Sequence, residues 1–96
     1  MIELTEQNFE KETSEGLVIV DCYANWCGKC KLMAPLIEQA EQKFKQYKFC
    51  KLDVEKCSKI AEQIGIMNLP TIILYKDGKI FDRGEFNLLA NIEGAK

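Results

Sequence analysis

Hydrophobic residues recur every second position in some segments of the chain and every third or fourth position in others. The first spacing is typical of β-strands and the second of amphipathic helices. Strands are predicted at residues 1–4, 17–23, 47–54, 71–75 and 79–81, and helices at residues 9–13, from 27 to about 45, 56–64 and 87–92. This alternating order, with a hairpin near its end, predicts an α/β fold with a mixed central sheet and helices on both of its faces.

Three local features refine this picture. The predicted strand at residues 17–23 is apolar apart from Asp21, as expected for a central strand buried on both faces, so the carboxyl group of Asp21 is out of place there. Pro35 falls inside the long helix and should kink it rather than end it, because the amphipathic pattern continues for two more turns. Asp77-Gly78 predicts a tight turn that makes the last two strands antiparallel neighbours.

Length and charge limit the classes of function. Ninety-six residues, 47% of them hydrophobic, predict one compact domain that spans residues 1–96. Thirteen Lys and Arg against 15 Asp and Glu give a net charge of −2, which offers no basic surface for nucleic acid. The longest apolar run, Leu17 to Val20, is far shorter than the roughly 20 residues that span a bilayer. The N-terminus has no signal-peptide pattern, so the expected location is the cytoplasm. We expect a monomer that binds neither nucleic acid nor membrane.

Five cysteines and no histidine define the possible chemistry. Because the number of cysteines is odd, they cannot all pair with one another, and some thiols are expected to be free. The absence of histidine excludes Ser/His and Cys/His catalysis and Cys/His zinc sites, because the general base or the nitrogen ligand is missing. Any chemistry is therefore expected to depend on sulfur, with no cofactor and no metal.

The sequence Cys27-Gly28-Lys29-Cys30 places two thiols at the start of the long predicted helix. Their spacing lets the sulfurs form a small disulfide ring or remain a dithiol with little movement. Unpaired backbone N–H groups and the helix dipole favour an anion at the first thiol, so the pKa of Cys27 is expected to lie below the value of about 8.5 for a free thiol. Cys27 is thus the predicted nucleophile and Cys30 the resolving thiol. The alternative, half of a zinc site, needs a second close cysteine pair, which residues 22, 50 and 57 do not supply.

Several segments extend this pattern in a specific order and at specific intervals: residues 20–31, Met33-Ala34-Pro35 with Glu38, residues 51–54, Leu69-Pro70-Thr71 and Asp77-Gly78. Together they resemble the thioredoxin family over nearly the whole chain. The resemblance implies a thioredoxin fold and a thiol-disulfide oxidoreductase that reduces protein disulfides. It also implies disulfide-containing proteins as substrates and a flavin-dependent thioredoxin reductase as the upstream partner. Since the chain is shorter than usual after Gly84, the C-terminal helix is expected to be shortened.

The resemblance also assigns roles within the site. Cys27 would attack a substrate disulfide, and Cys30 would resolve the mixed disulfide. Asp21 would be the buried acid that accepts or relays the proton of Cys30, with Lys51 as its neighbour beneath the site. Burial independently predicts a raised pKa for Asp21. The alternatives are a structural Asp21 held in a core hydrogen bond and a Lys51 that is simply solvated.

A substrate-binding surface around the cysteine pair is implied in the same way, formed by Trp26, Gly28, Lys29, Leu69, Pro70, Thr71 and Gly84. Pro70 would be cis and would offer backbone to the bound substrate chain. Trp26 would shield the nucleophile and present apolar surface to an unfolded substrate. Ordinary packing of Trp26 and a trans Pro70 at the start of a strand are the alternatives.

Lys29 departs from the family pattern, because thioredoxins usually carry proline at this position. Its positive charge favours the thiolate and hence the reduced form, so the reduction potential is expected to lie above that of a Gly-Pro thioredoxin. A less reducing oxidant or isomerase therefore remains an alternative, as does a non-catalytic binding module with the same fold.

The remaining cysteines are expected to differ from one another. Cys22 and Cys50 lie on apolar faces of predicted strands and should be small buried hydrophobic residues. Cys57 begins a predicted helix, where a thiol is expected to be exposed and its pKa lowered. A secondary regulatory oxidation of Cys57 is therefore a further hypothesis.

Overall fold

A computed structural model describes residues 1–85 of the chain. Its elements are β1 (Ile2–Glu3), α1 (Phe9–Thr13), β2 (Leu17–Tyr23), α2 (Gly28–Lys43), β3 (Lys48–Asp53), α3 (Ser58–Ile64), β4 (Thr71–Lys76) and β5 (Lys79–Gly84). The helix predicted at residues 87–92, and with it the shortened C-terminal helix, lies outside the described residues. None of the helices within residues 1–85 is long and apolar enough to span a membrane.

The five strands form one mixed sheet in the order β1-β3-β2-β4-β5. The mixed character of the sheet and the pairing of its last two strands are as the sequence predicts, whereas the order of the other strands was not predicted. β1 and β2 each pair with β3 in parallel, whereas β4 is antiparallel to both β2 and β5. The central strand β2 begins at Leu17 and ends at Tyr23, as predicted. Its register places Asp21 directly beside Lys51 of β3, which brings the two charged residues together at the centre of the sheet.

Side chains of β2 alternate between two hydrophobic cores, one on each face of the sheet. Val18, Val20 and Cys22 belong to a core that also contains Ile60 of α3. Ile19 belongs to a second core, to which α2 contributes Ile37. Asp21 follows Ile19 by two residues and therefore points to the face that α2 covers.

α2 is continuous from Gly28 to Lys43 despite Pro35 in its interior, so the proline does not end the helix. Continuity matters because the same helix begins at the cysteine pair and packs Ile37 and the adjoining Phe44 into the core. The N-terminus of α2 is thus fixed over the carboxyl end of β2. Burial of two large apolar side chains, each contributing about 1.5–3 kcal/mol, keeps it there.

The hairpin between β4 and β5 turns at Asp77 and Gly78, whose φ angles of 50° and 87° are both positive. Glycine and aspartate tolerate this conformation, which is why the sequence predicts the turn correctly. β5 is longer than predicted and continues to Gly84, which pairs with Ile72. Its pattern does not reveal this extension because Lys79 to Arg83 are all exposed and no buried face imposes an alternation.

α3 ends at Ile64, and its C-cap residue, Gly65, adopts the left-handed conformation with a φ of 73°. The Arg83 guanidinium of β5 donates hydrogen bonds to the carbonyl oxygens of Ile64 at 2.6 Å and Gly65 at 3.0 Å. Those carbonyls would otherwise lack partners at the end of the helix. Arg83 therefore tethers the end of α3, and the loop at residues 66–70 that follows it, to the edge of the sheet.

Candidate active site

Cys27 and Cys30 form a disulfide at the junction of β2 and α2, with their Cα atoms 5.3 Å apart. After β2 ends, the Cys27 N–H donates to the Ala24 carbonyl at 3.1 Å, which closes a turn. Cys27 is then the N-cap residue of α2, and its Sγ accepts a hydrogen bond from the Cys30 N–H at 3.1 Å. The first sulfur thus sits at the positive end of the helix, where a thiolate is stabilised.

Both cysteines are largely buried and pack in a small cluster with Ala24. Tyr23 and Leu69 cover this cluster. Trp26, directly before the pair, is 66% exposed. The disulfide is therefore packed beside an apolar side chain that remains open to a partner.

Cys27 lines a groove of about 570 Å³ on one side of the pair. Trp26 forms one wall, and Met67 and Leu69, from the loop after α3, form part of the other. Met67 is 90% exposed, the highest value among the large hydrophobic side chains of residues 1–85. The groove is open and apolar at its rim, as required to accept an unfolded or extended peptide.

The loop that borders the groove ends in a cis peptide bond between Leu69 and Pro70, as the resemblance implies. The Thr71 hydroxyl donates to the Asn68 carbonyl, which fixes the backbone around this bond. Thr71 and Gly84 line a neighbouring depression together with Met67 rather than the Cys27 groove itself. The structure thus places Trp26 and Leu69 in the groove with Cys27. Thr71, at the start of β4, and Gly84, at the end of β5, lie in the neighbouring depression.

The other two predicted surface residues, Gly28 and Lys29, form the first turn of α2 between the cysteines. Both are exposed. Apart from Gly28 itself, its two chain neighbours and the adjoining backbone of α2, nothing lies within 4 Å of the position where a Cβ on Gly28 would stand, so the approach to the pair is open at this point. The loop between the sulfurs therefore faces solvent.

Cys30 lines a different and smaller pocket, of about 200 Å³, on the α2 face of the sheet. Asp21 and Lys51 line the same pocket, and α2 contributes Lys31 and Glu38. The two cysteines thus face different surroundings: an apolar groove at Cys27 and a pocket lined by charged residues at Cys30.

Asp21 is only 7% exposed, and its Oδ1 has no hydrogen-bond partner among residues 1–85. Burial raises the pKa of its carboxyl from 3.8 to about 6, and the nearby Lys51 charge opposes this rise. The prediction of a raised pKa is confirmed. If core hydrogen bonds held Asp21 entirely, both carboxyl oxygens would have partners, and Oδ1 has none within residues 1–85. The unpartnered oxygen and the raised pKa fit a carboxyl that exchanges protons near neutral pH.

Lys51 is partly exposed, with 40% of its side chain accessible, but it also has two protein partners. Its Nζ lies 3.6 Å from Oε1 of Glu3 and 5.9 Å from the centre of the Tyr23 ring. The Tyr23 hydroxyl donates to Oε2 of the same glutamate at 2.8 Å. Sequence reasoning missed Glu3 and Tyr23. The sequence does predict a short first strand that contains Glu3. The register of that strand on β3, which sets Glu3 beside Lys51, could not be read from the sequence.

Cys57 contradicts its prediction. It is only 4% exposed, and its Sγ donates to the Leu4 carbonyl at 3.6 Å. Burial and the nearby carboxylates of Glu6 and Asp53 raise the pKa of the thiol rather than lower it. The expected exposure was wrong because the side chain turns inward between α3 and the end of β1, so a regulatory oxidation of Cys57 has no structural support.

Cys22 and Cys50 are fully buried, as predicted. Burial raises the pKa of Cys22 to about 12 and that of Cys50 to about 11. Both thiols are therefore protonated and unreactive at neutral pH. Among residues 1–85, no three Cys, Asp or Glu side chains are grouped closely enough to hold a metal ion.

Comparison with known proteins adds independent support. The family model for thioredoxin matches residues 1–91. A thioredoxin from Bacillus subtilis is 39% identical over 83 residues, which cover 85% of this chain and 80% of the relative. Thioredoxin-2 from Saccharomyces cerevisiae is 42% identical over 67 residues, which cover 70% of this chain and 64% of the relative.

The fold gives the same result. A solved structure of a thioredoxin from Plasmodium falciparum superposes with a TM-score of 0.89 at 31% identity, and the match covers 99% of this chain and 95% of the other. Thioredoxin f2 from Chlamydomonas reinhardtii gives a TM-score of 0.90 at 25% identity, with 100% and 96% of the two chains covered. The paired cysteines at a helix N-terminus, the relatives and the fold all agree, and we conclude that this chain belongs to the thioredoxin family and is a thiol-disulfide oxidoreductase that reduces protein disulfides.

Proposed function

We propose that Cys27 attacks the substrate, that Cys30 resolves the resulting mixed disulfide, and that Asp21 receives the proton of Cys30. The Cys27 thiolate attacks one sulfur of a substrate disulfide and releases the other as a thiolate. The Cys30 thiolate then attacks Cys27, releases the second substrate sulfur and leaves the Cys27–Cys30 disulfide. Two electrons pass to the substrate, and the proton that Cys30 loses passes to the Asp21 carboxylate.

The observation that carries this assignment is the different setting of the two cysteines. Cys27 lines the groove with Trp26 and Met67, where a substrate chain can reach its sulfur. Cys30 lines the pocket with Asp21 and Lys51, where proton transfer is possible and a peptide has little room. The attacking thiol needs access, whereas the resolving thiol needs a base, and each cysteine has the surroundings that its role requires.

Substrate binding is proposed along the groove and the loop that borders it. Trp26 and Met67 offer exposed apolar surface to an unfolded segment. Backbone groups near Pro70 would pair with an extended peptide. Recognition by apolar contact and backbone hydrogen bonds selects accessible disulfides in extended segments rather than one particular sequence. Gly28, Lys29, Thr71 and Gly84 would form the periphery of the same surface.

Thioredoxin reductase is the proposed electron source, and disulfide-containing proteins are the proposed substrates. A reducing compartment, the cytoplasm, is supported by Cys22, Cys50 and Cys57, which remain unpaired within the described structure. We further propose that residues 1–96 act as a single monomeric domain.

The direction of electron flow is tested by the reduction potential of the Cys27–Cys30 pair in glutathione buffers. We expect a value within about 40 mV above the −270 mV typical of thioredoxin, which makes the protein a reductant. A value near −180 mV, typical of protein disulfide isomerase, would favour the oxidant or isomerase alternative and contradict the proposal.

Replacing Lys29 with proline should lower the reduction potential by about 20 mV. This value assumes that Lys29 favours the reduced form by about 1 kcal/mol, since 30 mV corresponds to 1.4 kcal/mol for a two-electron couple. The variant loses a positive charge from the first turn of α2 and gains a rigid ring between the sulfurs. The matched control is Lys29→Gln, which removes only the charge and separates the two contributions. An unchanged or raised potential in Lys29→Pro would show that Lys29 does not bias the pair.

A further inference from the structure

Glu3 connects the first strand of the sheet to the pocket at Cys30. β1 pairs with β3 in parallel, and the register sets Glu3 directly beside Lys51. The Glu3 carboxylate contacts two partners with its two oxygens: Lys51 Nζ lies 3.6 Å from Oε1, and the Tyr23 hydroxyl donates to Oε2 at 2.8 Å. The lysine is therefore held between a carboxylate and an aromatic ring 5.9 Å away.

Tyr23 adds rigidity to this arrangement. Burial and the hydrogen bond to Glu3 raise the pKa of the Tyr23 hydroxyl, so it remains a proton donor throughout the physiological range. The ring packs against the cluster that contains Cys27 and Cys30. Glu3 is thus tied through Tyr23 to the cysteine pair itself, although the glutamate does not touch either sulfur.

Lys51 has a carboxylate on each side. β1 provides Glu3, while the neighbouring strand β2 provides Asp21 at the paired position. The Lys51 charge lowers the pKa of Asp21 against the effect of burial. Where the ammonium sits, and how fully Glu3 neutralises it, therefore controls the proton affinity of Asp21.

We propose that Glu3, braced by Tyr23, holds the Lys51 ammonium at the mouth of the pocket and is a positioning residue for proton transfer between Cys30 and Asp21. The significance of that transfer rests on the proposed function, in which Asp21 receives the Cys30 proton. The electrostatic coupling of Glu3 to Asp21 through Lys51 does not depend on it and can be measured separately.

Charged and titratable groups approach Asp21 from three neighbouring elements and from its own strand. Those that line its pocket or adjoin it are Cys22 and Tyr23 from β2, Cys30, Lys31 and Glu38 from α2, Lys51 from β3, Glu3 from β1, and the α-amino group of Met1, which precedes β1. The Met1 amino group is paired with Glu41 at 3.1 Å. β4 brings only apolar Ile72 to the paired position. Of these groups, Lys51 is the one whose charge opposes the effect of burial on the pKa of Asp21, and Glu3 is its ion-pair partner.

The sign of the effect follows from the charges. Glu3→Gln removes the carboxylate that neutralises Lys51, so the remaining positive charge acts more strongly on Asp21 and stabilises its ionised form. The pKa of Asp21 should therefore fall. A shift of about half a pH unit is expected, the size that a partly exposed ion pair produces.

The test is an NMR titration of the Asp21 side-chain carboxyl in the oxidised protein, residues 1–96, in which Cys27 and Cys30 do not titrate. Glu3→Gln should lower the pKa of Asp21 by about half a unit, and Tyr23→Phe by less, since it loses only the hydroxyl that braces Glu3. The matched control is Glu12→Gln. Glu12, in α1, pairs at 3.0 Å with Lys48 of β3, the strand that also carries Lys51. Neither Glu12 nor Lys48 lines the pocket, so this variant should leave the Asp21 titration unchanged.

A Lys51→Met background identifies the route of the coupling. There, Glu3→Gln should lose most of its effect, because the charge through which Glu3 acts is gone. An effect of equal size in both backgrounds, an unchanged Asp21 titration in Glu3→Gln, or a shift matched by Glu12→Gln would each overturn the positioning role.

The catalytic consequence is read from the pH profile of the resolution step, measured as release of a substrate thiol from a preformed mixed disulfide at Cys27. The acidic limb of this profile should move down by the same half unit in Glu3→Gln. If the Asp21 titration moves while this limb stays in place, the coupling of Glu3 to Asp21 is supported and the assignment of Asp21 as proton acceptor fails. The two failures are therefore distinguishable.

Discussion

Replacing Cys27 with serine should abolish the reduction of insulin disulfides, with a loss of about a thousandfold or more. A serine hydroxyl at the N-cap of α2 can still accept the Cys30 N–H, so the helix start should remain intact. The hydroxyl is not ionised at neutral pH and cannot form a mixed disulfide. The measurement is insulin reduction with dithiothreitol as the electron source, followed by turbidity.

The control for this experiment is Cys57→Ala. Cys57 is a buried cysteine outside both pockets at the site, so its loss should leave reductase activity within about twofold while lowering stability by about 1 kcal/mol for the lost burial. If Cys27→Ser retained activity, or if Cys57→Ala lost as much as Cys27→Ser, Cys27 would not be the nucleophile.

Cys30→Ser distinguishes the order of the two thiols. This variant keeps the attacking cysteine and lacks the resolving one, so it should accumulate a covalent mixed disulfide with a substrate, detected by mass spectrometry or non-reducing electrophoresis. Cys27→Ser should trap little, because Cys30 faces the charged pocket and does not line the groove that a substrate can enter. Equal trapping by both variants would contradict the assigned roles.

Much of this site could be predicted from the sequence because its signals are local. The bounds of β2 follow from a continuous apolar run, and the odd residue within that run, Asp21, identifies the buried acid. The pair at Cys27 and Cys30 is marked by its spacing and by the start of a helical pattern. Each of these features needs only a short window of sequence.

The parts that could not be predicted depend on contacts between distant segments. Glu3 reaches Lys51 only because two residues of β1 pair with β3, and a strand that short gives no periodicity from which to read a register. Cys57 appeared exposed because a helix start is usually solvated, but its thiol is covered by the Leu4 segment 53 positions earlier in the chain. Tertiary packing overrides the local expectation in both cases.

Asp21 can be identified from a short stretch of sequence, but its effect on stability depends on the fold around it. The carboxyl is buried with one oxygen unpartnered and with a lysine that only partly offsets the burial. A charged group in this setting destabilises the folded state, and natural proteins retain such groups mainly where function requires them. The stability of Asp21 variants should therefore change in the opposite direction to their activity.

The pH dependence of stability follows from the pKa of Asp21. The folded-state pKa is about 6 and the ordinary value, which describes the unfolded chain, is 3.8. Between these values the unfolded chain releases its proton while the folded protein keeps it, so this residue's contribution to stability is present below pH 3.8 and is lost as the pH rises through 6. The total loss is about 3 kcal/mol by pH 7, at 1.36 kcal/mol for each unit of pKa difference.

Asp21→Asn should therefore become more stable relative to the parent protein as the pH rises. The difference in the free energy of unfolding should grow by about 2 kcal/mol between pH 4 and pH 7, because part of the total is already lost at pH 4, and it is measured by urea unfolding of the oxidised proteins. The same substitution at the exposed Asp82 should produce no such trend. If the difference in unfolding free energy did not change with pH, the pKa of Asp21 would not be raised in the folded protein.

The same variant should be slower at neutral pH, because asparagine cannot take up the proton that Cys30 must lose. Resolution of a preformed mixed disulfide is expected to slow by about a hundredfold, the usual contribution of a positioned general base. Attack by the Cys27 thiol on the substrate, which takes place in the groove on the other side of the pair, should change far less. If the slower step were the initial attack, Asp21 would act on Cys27 rather than on Cys30, and the separation of the two cysteines between an access groove and a proton pocket would be wrong.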